Sequence, residues 1–464
     1  MERVVIVGGG MGGLSAALAL GRAGYPVTVL ERDPLPETGD AEAAFVAERR
    51  GAPQVHQTHG FLARLQTLMR ERFPDVLDDV LAAGGSRMPT TSTLGEPQAG
   101  DEDLEVIIIR RTTLEWVLRR AALAEPTVTL RTGVVVTGVV ATDVTVTGVR
   151  LEDGSVVSGD VVVASTGRRG DVPGWLREIG VEVPETIRGS GLMYLTRWYR
   201  LPDTFDPVAL DPKLGGDLGF VKYLGVPGDG ATLSITLAIR PDDADLRAAL
   251  STERGFEHAC RVLPGPNQFF AHGPLDPIGG VRPMGGLLNR LRRFADADGV
   301  PTVLGFHAIG DAHTCTNPLY GRGCSLAMVQ AVNLADAIVA HPGDAVGRAT
   351  AYEAASRRDV EPWYEVSIEM DKMGADPLGF GRGQEHANPL AHVFVAAQTD
   401  PVLGRGLARL WNLLSTPAEL AADPQYLTRA AAVMAEPEKY PLPEREGPTR
   451  SELLDALAEE DARV

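Results

Sequence analysis

Two runs of residues indicate the fold, namely Val4-Val5-Ile6-Val7-Gly8-Gly9-Gly10-Met11-Gly12-Gly13 and the later Val27-Thr28-Val29-Leu30-Glu31. The continuous apolar residues 4–7 predict a parallel strand that is buried on both faces. The small and apolar residues 14–23 predict a helix, which Gly24 closes. This order of strand, glycine-rich turn, helix and strand is typical of a dinucleotide-binding unit.

The glycines at positions 8, 10 and 13 each have a physical reason. Gly8 permits the tight turn, Gly10 lets the backbone approach a pyrophosphate, and Gly13 lets the helix pack closely on the strand. The turn, with Met11 and Gly12, is therefore predicted to present free N–H groups and the positive helix end to phosphates. A glycine-rich turn without a ligand is the alternative.

An acidic residue ends the second strand, as such a unit requires. Glu31 lies 23 residues after Gly8 and suits the acceptance of hydrogen bonds from ribose hydroxyls. We include its neighbour Arg32 in the predicted cofactor site. Arg49 and Arg50 either meet phosphate or form a solvated pair.

Composition limits the classes of partner. The chain has 464 residues, 23% of them charged, and a net charge of -18, which argues against nucleic acid or an anionic membrane surface as the main partner. Its three cysteines form no CxxC pair, so we expect no disulfide framework, no metal site and a cytoplasmic location. We also expect no transmembrane segment, because no stretch reaches the roughly 18 to 20 apolar residues of a spanning helix.

A second motif favours FAD over NAD. Gly310-Asp311-Ala312 ends an apolar strand, and Asn317-Pro318-Leu319-Tyr320-Gly321-Arg322-Gly323 opens a helix. A carboxylate at a strand end accepts hydrogen bonds from a polyol chain. A glycine-rich helix start directs N–H groups at an electron-rich ring edge. This set fits the ribityl chain and the pyrimidine end of a flavin.

With these motifs, most of residues 1–340 resemble the FAD-dependent monooxygenases of the p-hydroxybenzoate hydroxylase type. Arg50-Gly51-Ala52-Pro53-Gln54, followed by His59, is similar to the bacterial branch with polyether epoxidases and squalene epoxidase-like enzymes. The resemblance implies that Glu31 holds the adenosine ribose, that Arg111 lies near the pyrophosphate or ribityl chain, and that Asp311 binds the ribityl chain. The predicted cofactor-binding residues are Gly8, Gly10, Met11, Gly12, Gly13, Glu31, Arg32, Arg50, Arg111, Thr166, Gly167, Gly310, Asp311, Pro318, Gly321, Arg322 and Gly323.

One departure from the family concerns the electron donor. Family members usually carry an Asp-Gly pair after the strand near 160–165, tied to FAD and NAD(P)H binding, whereas this chain has Thr166-Gly167. Reduction by NAD(P)H directly and reduction through a separate flavin reductase therefore both stay open. Gly379-Phe380-Gly381-Arg382-Gly383 lacks a preceding strand and is predicted to be a loop, so we expect no second dinucleotide-binding domain.

The predicted architecture is an α/β fold in three parts. A Rossmann-like FAD-binding domain is expected over residues 1–175 and 301–345. A smaller substrate domain with an antiparallel sheet is expected over 176–300, because the strands at 191–201, 221–224 and 231–239 alternate or flank a turn. A helical C-terminal region is expected over 346–464.

The resemblance implies monooxygenation, in which a flavin C4a-hydroperoxide gives an oxygen atom to a substrate. We therefore expect epoxidation or hydroxylation of a hydrophobic or aromatic small molecule. An FAD-dependent dehydrogenase or reductase that incorporates no oxygen is the first alternative. A non-catalytic flavin-binding redox sensor is the second.

Four residues are candidates beyond the cofactor motifs. His313 either faces the flavin ring as a catalytic residue or bonds to backbone near a helix. Tyr194, Trp198 and Tyr223 lie on predicted strands of the middle sheet and either line the substrate pocket or belong to the core. Cys315 and Cys324 bracket the second motif and are predicted to be packing residues.

Overall fold

The structure is a computed structural model that describes residues 1–35, 39–203, 205, 214–271, 273–372, 390–443 and 446–462. Its strands are β1 (Val4–Val7), β2 (Val27–Leu30), β3 (Ser86–Pro89), β4 (Glu105–Ile108), β5 (Val128–Arg131), β6 (Val136–Thr142), β7 (Thr145–Leu151), β8 (Val156–Ser158), β9 (Val161–Ala164), β10 (Glu185–Gly189), β11 (Met193–Arg200), β12 (Gly215–Asp217), β13 (Val221–Gly228), β14 (Thr232–Ile239), β15 (Asp276–Met284), β16 (Leu288–Arg292), β17 (Phe306–Ala308) and β18 (Thr314–Cys315). Its helices are α1 (Met11–Arg22), α2 (Ala41–Val46), α3 (Ala63–Arg72), α4 (Pro74–Ala82), α5 (Arg111–Ala124), α6 (Val172–Arg177), α7 (Ala244–Leu250), α8 (Glu253–Val262), α9 (Asn267–Phe270), α10 (Gly323–Ala340), α11 (Ala345–Asp359), α12 (Glu361–Lys372), α13 (Leu390–Ala396), α14 (Pro401–Trp411), α15 (Pro417–Leu420), α16 (Pro424–Ala435) and α17 (Arg450–Ala462).

A parallel sheet in the order β17-β9-β1-β2-β5 forms the centre of the nucleotide-binding part. All four residues of β1 are buried, because the sheet is covered on both faces. Val4 and Ile6 pack with helices α1, α5 and α10. Val5 and Val7 pack on the opposite side with the small sheet β6-β7-β8 and with α6. The predicted strand-turn-helix-strand unit is confirmed.

An antiparallel sheet in the order β12-β13-β14-β11-β15 forms the second part. One face is apolar and packs against α7, α8, α9 and α17. The other face is largely polar and carries Thr196 and Thr236, whose hydroxyls lie 2.6 Å apart. The predicted hairpin around residues 228–230 is present as β13 and β14. Helices α7 to α9 have no counterpart in the sequence prediction.

A buried ion pair joins the two parts. Asp229, at the tip of the β13–β14 hairpin, accepts hydrogen bonds from the backbone N–H of Arg110 at 2.6 Å and from its Nη2 at 2.7 Å. The Thr113 hydroxyl donates to the same carboxylate at 2.7 Å. Since Arg110 precedes α5, this contact fixes the antiparallel sheet relative to the edge of the parallel sheet.

The C-terminal helices contribute to both parts. Tyr352 of α11 and Trp363 of α12 belong to the core beside the parallel sheet. Leu453 and Leu457 of α17 belong to the core of the antiparallel sheet. Residues 346–464 are therefore helical where they are described, yet they do not form one independent unit. The predicted loop at 379–383 lies outside the described residues.

The segment between β2 and α3 holds α2 and a 3-10 helix at Pro53–His56. The expectation about membrane spans needs correction, because α10 has the length and the mean hydropathy, 1.5 over 18 residues, of a spanning helix. Because 72% of it is buried inside the protein, α10 is a core helix here.

Candidate functional site

A cleft of about 440 Å³ runs along the carboxyl edge of the parallel sheet and beneath the antiparallel sheet. The carboxyl ends of parallel strands meet at one edge, which is where ligands bind in such folds. Leu224 and Tyr194 of the antiparallel sheet close the cleft from the other side. The predicted cofactor-binding residues that line the cleft are Gly8, Gly10, Met11, Gly12, Glu31, Arg32, Arg111, Thr166, Gly310, Asp311, Pro318, Gly321 and Gly323.

The first glycine-rich turn leaves room for a ligand on one side only. A Cβ on Gly8, whose φ is +110°, would lie 2.2 Å from the carbonyl oxygen of Ser165, and one on Gly13 would lie 1.9 Å from the carbonyl oxygen of Gly8. A Cβ on Gly10 would meet nothing closer than 3.8 Å. Gly13 therefore packs the helix on the strand behind the turn, while Gly10 faces the open cleft.

A buried network of ionised side chains supports this turn. Glu31 accepts a hydrogen bond from the N–H of Gly9 at 2.7 Å. Arg49 donates to Asp33 at 3.1 Å and to Glu115 at 2.9 Å, and it lies 3.7 Å from Glu31. This arrangement holds three carboxylates around one guanidinium, which compensates for their burial.

Arg111 connects the network to the cleft. Its Nε donates to Glu115 at 2.9 Å, four residues further along α5. Burial alone would raise the pKa of Glu115, but Arg111 and Arg49 hold it below its ordinary value. Glu115 is thus an anion at neutral pH, and Arg111 is fixed where it also faces His59, with 3.4 Å between Nη1 and Nε2.

Asp311 lies at the other end of the cleft. Gly310 precedes it with a φ of +59°, and the N–H of Gly310 donates to Gln330 of α10 at 2.7 Å. Burial raises the pKa of Asp311, although Arg111, Arg168 and Arg290 oppose that shift. The carboxylate therefore lies among cations at a strand end, where it can accept hydrogen bonds from a polyol.

The second glycine-rich turn also faces the cleft through its backbone. Gly321 adopts the left-handed conformation, with a φ of +67°, which favours glycine. A Cβ on Gly323 would have nothing within 4 Å. Pro318 and Leu319 border the same space. The start of α10 is thus open toward the cleft.

Four predicted cofactor residues do not line the cleft. Gly13 lies behind the first turn, and Gly167 follows the lining residue Thr166. The Arg50 side chain is 79% exposed and pairs with Glu48. Arg322 is 1% exposed, and its guanidinium points away from the cleft and donates to Ser367 of α12 at 2.7 Å.

Three buried hydroxyls test whether the cleft suits a polar cofactor. Thr166, Tyr194 and Thr316 all line it, and their oxygens have no hydrogen-bond partner among the described residues. Buried polar atoms almost always have partners, so these hydroxyls are available to the polar groups of a ligand. Together with the open glycines and Asp311, they fit a dinucleotide that carries phosphates, a polyol and a ring.

The three aromatic candidates of the middle sheet have different surroundings. Tyr194 lines the cleft. Trp198 lies on the same face of β11 but donates its indole N–H to the carbonyl of His56 at 2.7 Å. Tyr223 belongs to the apolar core on the opposite face. In β13 the neighbour of Tyr223, Leu224, lines the cleft instead, as the alternation of strand side chains requires.

His313 does not face the cleft. It is buried, lies 2.6 Å from the Thr314 hydroxyl and stacks on Phe294. Burial lowers its pKa to about 4. The histidine that lines the cleft is His59, whose pKa is lowered to about 3, first by burial and then by Arg111.

Sequence reasoning treated two cleft features incompletely. It placed Arg49 and Arg50 together, although Arg49 is 8% exposed and only Arg49 lines the cleft. It also assigned no role to Leu224 or Met284, which line the cleft from the antiparallel sheet. The alternation in β13 is the pattern that separates Leu224 from Tyr223.

Cys315 and Cys324 line the cleft as well. Burial raises the pKa of both thiols, that of Cys324 to about 11. Both are therefore neutral at physiological pH, when a thiol is a poor nucleophile. Their geometry agrees with packing.

The N-terminal part of the chain is similar to a known family. Residues 3–103 match the family model described as FAD dependent oxidoreductase. The chain is 27% identical over 452 residues to Protein Rv3254 of Mycobacterium tuberculosis, covering 89% of this chain and 90% of that protein.

Two solved structures share the fold. PqsL, a probable FAD-dependent monooxygenase from Pseudomonas aeruginosa, is 19% identical, with a TM-score of 0.59 over 81% of this chain and 97% of PqsL. A flavoprotein/dehydrogenase from Cytophaga hutchinsonii is 15% identical, with a TM-score of 0.64 over 94% of this chain and 99% of that one. At these identities the likeness concerns the fold alone.

Proposed function

We propose that this FAD-dependent oxidoreductase is a monooxygenase that epoxidises or hydroxylates a hydrophobic or aromatic small molecule. One observation carries the proposal. The cleft that begins at the dinucleotide turn continues, without a separating wall, to Tyr194, Leu224 and Met284 of the antiparallel sheet. A cofactor bound along the edge of the parallel sheet would thus present its far end to the space that Tyr194, Leu224 and Met284 border.

Specific residues would hold FAD in this cleft. The turn at Gly8–Gly13 would take the pyrophosphate, Glu31 the adenosine ribose, and Asp311 the ribityl chain. Gly321 and Gly323 would lie beside the pyrimidine end. Bound FAD supplies the redox chemistry, since it accepts two electrons and passes them on to oxygen.

The protein side of the reaction is binding, orientation and exclusion of water. Leu224, Met284 and Leu319 offer apolar contacts to a substrate. The Tyr194 hydroxyl, buried and without a partner among the described residues, offers one hydrogen bond that fixes orientation. Such positioning is what the chain itself contributes when the cofactor performs the chemistry.

The electron donor is part of the proposal. We propose NAD(P)H, used either directly or through a separate flavin reductase. Anaerobic mixing of the FAD-loaded protein with NADH or NADPH distinguishes these routes: bleaching of the flavin absorbance by the nucleotide alone indicates direct reduction. Bleaching only after a flavin reductase is added indicates the indirect route.

Labelled oxygen tests the reaction. The FAD-loaded protein is incubated under ¹⁸O₂ with an electron donor, a flavin reductase and a panel of hydrophobic aromatic compounds and alkenes. We expect a product that carries one ¹⁸O atom. The matched control is Gly323→Ala, whose added methyl group would enter the cleft from an otherwise open position. A product formed by hydride transfer, with no ¹⁸O in it, would favour a dehydrogenase and overturn the monooxygenase proposal.

A further inference from the structure

The second glycine-rich turn is held from outside the cleft by one side chain of the C-terminal region, Asp371 of α12. Its Oδ1 accepts hydrogen bonds from Asn317 Nδ2 at 2.8 Å and from the Tyr320 hydroxyl at 2.6 Å. Its Oδ2 accepts one from Asn289 Nδ2 at 2.6 Å. Asp371 therefore accepts hydrogen bonds both from the turn itself and from strand β16.

The two asparagine side chains that Asp371 contacts also hold the backbone of the turn in place. Asn289 Oδ1 accepts the N–H of Asn317 at 2.7 Å, and Asn317 Oδ1 accepts the N–H of Leu319 at 3.1 Å. Each amide is fully buried, so each is oriented by the group that it contacts. Asp371 fixes both amides, and the amides fix the path of the chain from Asn317 to Tyr320.

A second contact anchors the same turn to the same helix. Arg322 donates to Ser367, one helical turn before Asp371, and its guanidinium lies over the rings of Tyr320 at 4.9 Å and Trp363 at 5.9 Å. Side chains four residues apart lie on one face of a helix. The turn is thus attached to one face of α12 at two points, while its glycines face the cleft.

We propose that Asp371 is a positioning residue for the flavin end of the cofactor, acting through Asn317 and Tyr320 on the backbone at Gly321–Gly323. The inference rests on the proposed placement of FAD in this cleft, because the turn has a positioning task only if the flavin lies beside it. Asp371 itself does not line the cleft. It lies beyond residues 1–340, where the sequence resemblance was found.

The test compares FAD retention in three variants of the full-length protein. Asp371→Asn keeps the shape of the side chain but removes the charge and one acceptor oxygen. We expect it to release bound FAD about tenfold faster, which corresponds to about 1.4 kcal/mol, because hydrogen bonds to a charged acceptor are stronger than those to a neutral one. Tyr320→Phe removes a single donor and is expected to accelerate release about threefold. Release is followed by flavin fluorescence on dilution.

The matched control is Asp359→Asn. Asp359 also accepts a hydrogen bond from an asparagine, Asn333, at 2.9 Å. Among the residues that the structure describes, its hydrogen-bond partners do not include any residue of the turn. It should retain FAD like the wild type. Visible circular dichroism of the bound flavin adds a readout that general destabilisation does not move, and we expect its band to change in Asp371→Asn and Tyr320→Phe only.

Each outcome decides the proposal. Wild-type release rates and spectra in both turn variants would overturn it, as would equal acceleration in Asp359→Asn. If Asp371→Asn does not fold, Tyr320→Phe decides alone. A wild-type protein that binds no FAD would defeat the cofactor placement and this inference together, whereas a wild type that holds FAD but transfers no oxygen leaves this inference intact.

Discussion

Two glycine-rich helix starts border the cleft, and their supports differ in charge. Around Gly8–Gly13 the supporting side chains are ionised, with Arg49 among three carboxylates. Around Asn317–Gly323 they are two amides and a phenol that converge on Asp371. The first support is therefore centred on a guanidinium, and the second is centred on a carboxylate.

The supports also differ in their origin along the chain. Glu31, Arg49 and Glu115 all lie within the first 115 residues, close to the turn that they hold. Asp371 follows the second turn by about 50 residues and belongs to a different helix. The first turn is therefore a local unit, whereas the second depends on the folding of the C-terminal region against it.

The largest effect that we predict is on folding, and it differs between the two turns because their glycines have different amounts of space around them. Gly13→Ala places a methyl group 1.9 Å from a backbone oxygen, so the helix cannot seat on β1, and we expect little folded protein in soluble extracts. Gly323→Ala has open space around the new methyl group. Its FAD-free form should melt at the temperature of the FAD-free wild type, but it should bind FAD weakly. Equal soluble yields and equal flavin content in the two variants would contradict this contrast.

The charged support of the first turn predicts the next largest effect. Arg49→Met leaves Glu31, Asp33 and Glu115 without their shared cation and is expected to lower the free energy of unfolding by about 3 to 5 kcal/mol. The neighbouring Arg50→Met is the control, because Arg50 is solvent-exposed and contacts only Glu48 in the described salt bridges. Urea unfolding of the two variants measures the difference. If both variants unfold at the wild-type midpoint, the network has no structural role.

The sequence carried enough information for the first turn and too little for the second. The strand, the glycines and the acidic residue of the first turn all lie within residues 4–31, so their spacing in the sequence is enough to predict the turn. No such pattern predicts the orientation of Arg322. Its position inside a glycine-rich turn does not show whether its side chain points toward the cleft or away from it. Only the packing of α12, at a distance of some 45 residues, turns it away from the cleft.

We also predict that the stability of the protein depends on pH through strand β17, which leads to Asp311. Burial, followed by Arg348, lowers the pKa of His307 in β17 to about 3. The unfolded chain binds a proton near pH 6.5, so stability that is complete above this pH is lost progressively as the pH falls toward 3. The loss from this group is about 1.4 kcal/mol per pH unit.

The variant His307→Asn should remove that share of the acid sensitivity. Urea unfolding at pH 7 and pH 5 is expected to show a smaller loss of stability in the variant than in the wild type. Glu115, at the first turn, contributes little over this range, because its ordinary pKa of 4.5 lies below pH 5 and its pKa in the folded protein is lower still. Identical losses in variant and wild type would show that His307 does not contribute to the acid sensitivity.

The smallest effect tests the substrate end, where Tyr194 packs beside Leu319 of the second turn. Tyr194→Phe removes the hydroxyl that has no partner among the described residues, so the folded protein loses no hydrogen bond. If that hydroxyl orients the substrate, KM should rise about threefold to tenfold, as expected for one neutral hydrogen bond, while FAD retention stays constant. Tyr223→Phe is the control, since its ring lies in the core on the opposite face of the sheet. A rise in KM for Tyr223→Phe alone would mean that the substrate reaches the sheet from that other face, and the cleft would then hold the cofactor only.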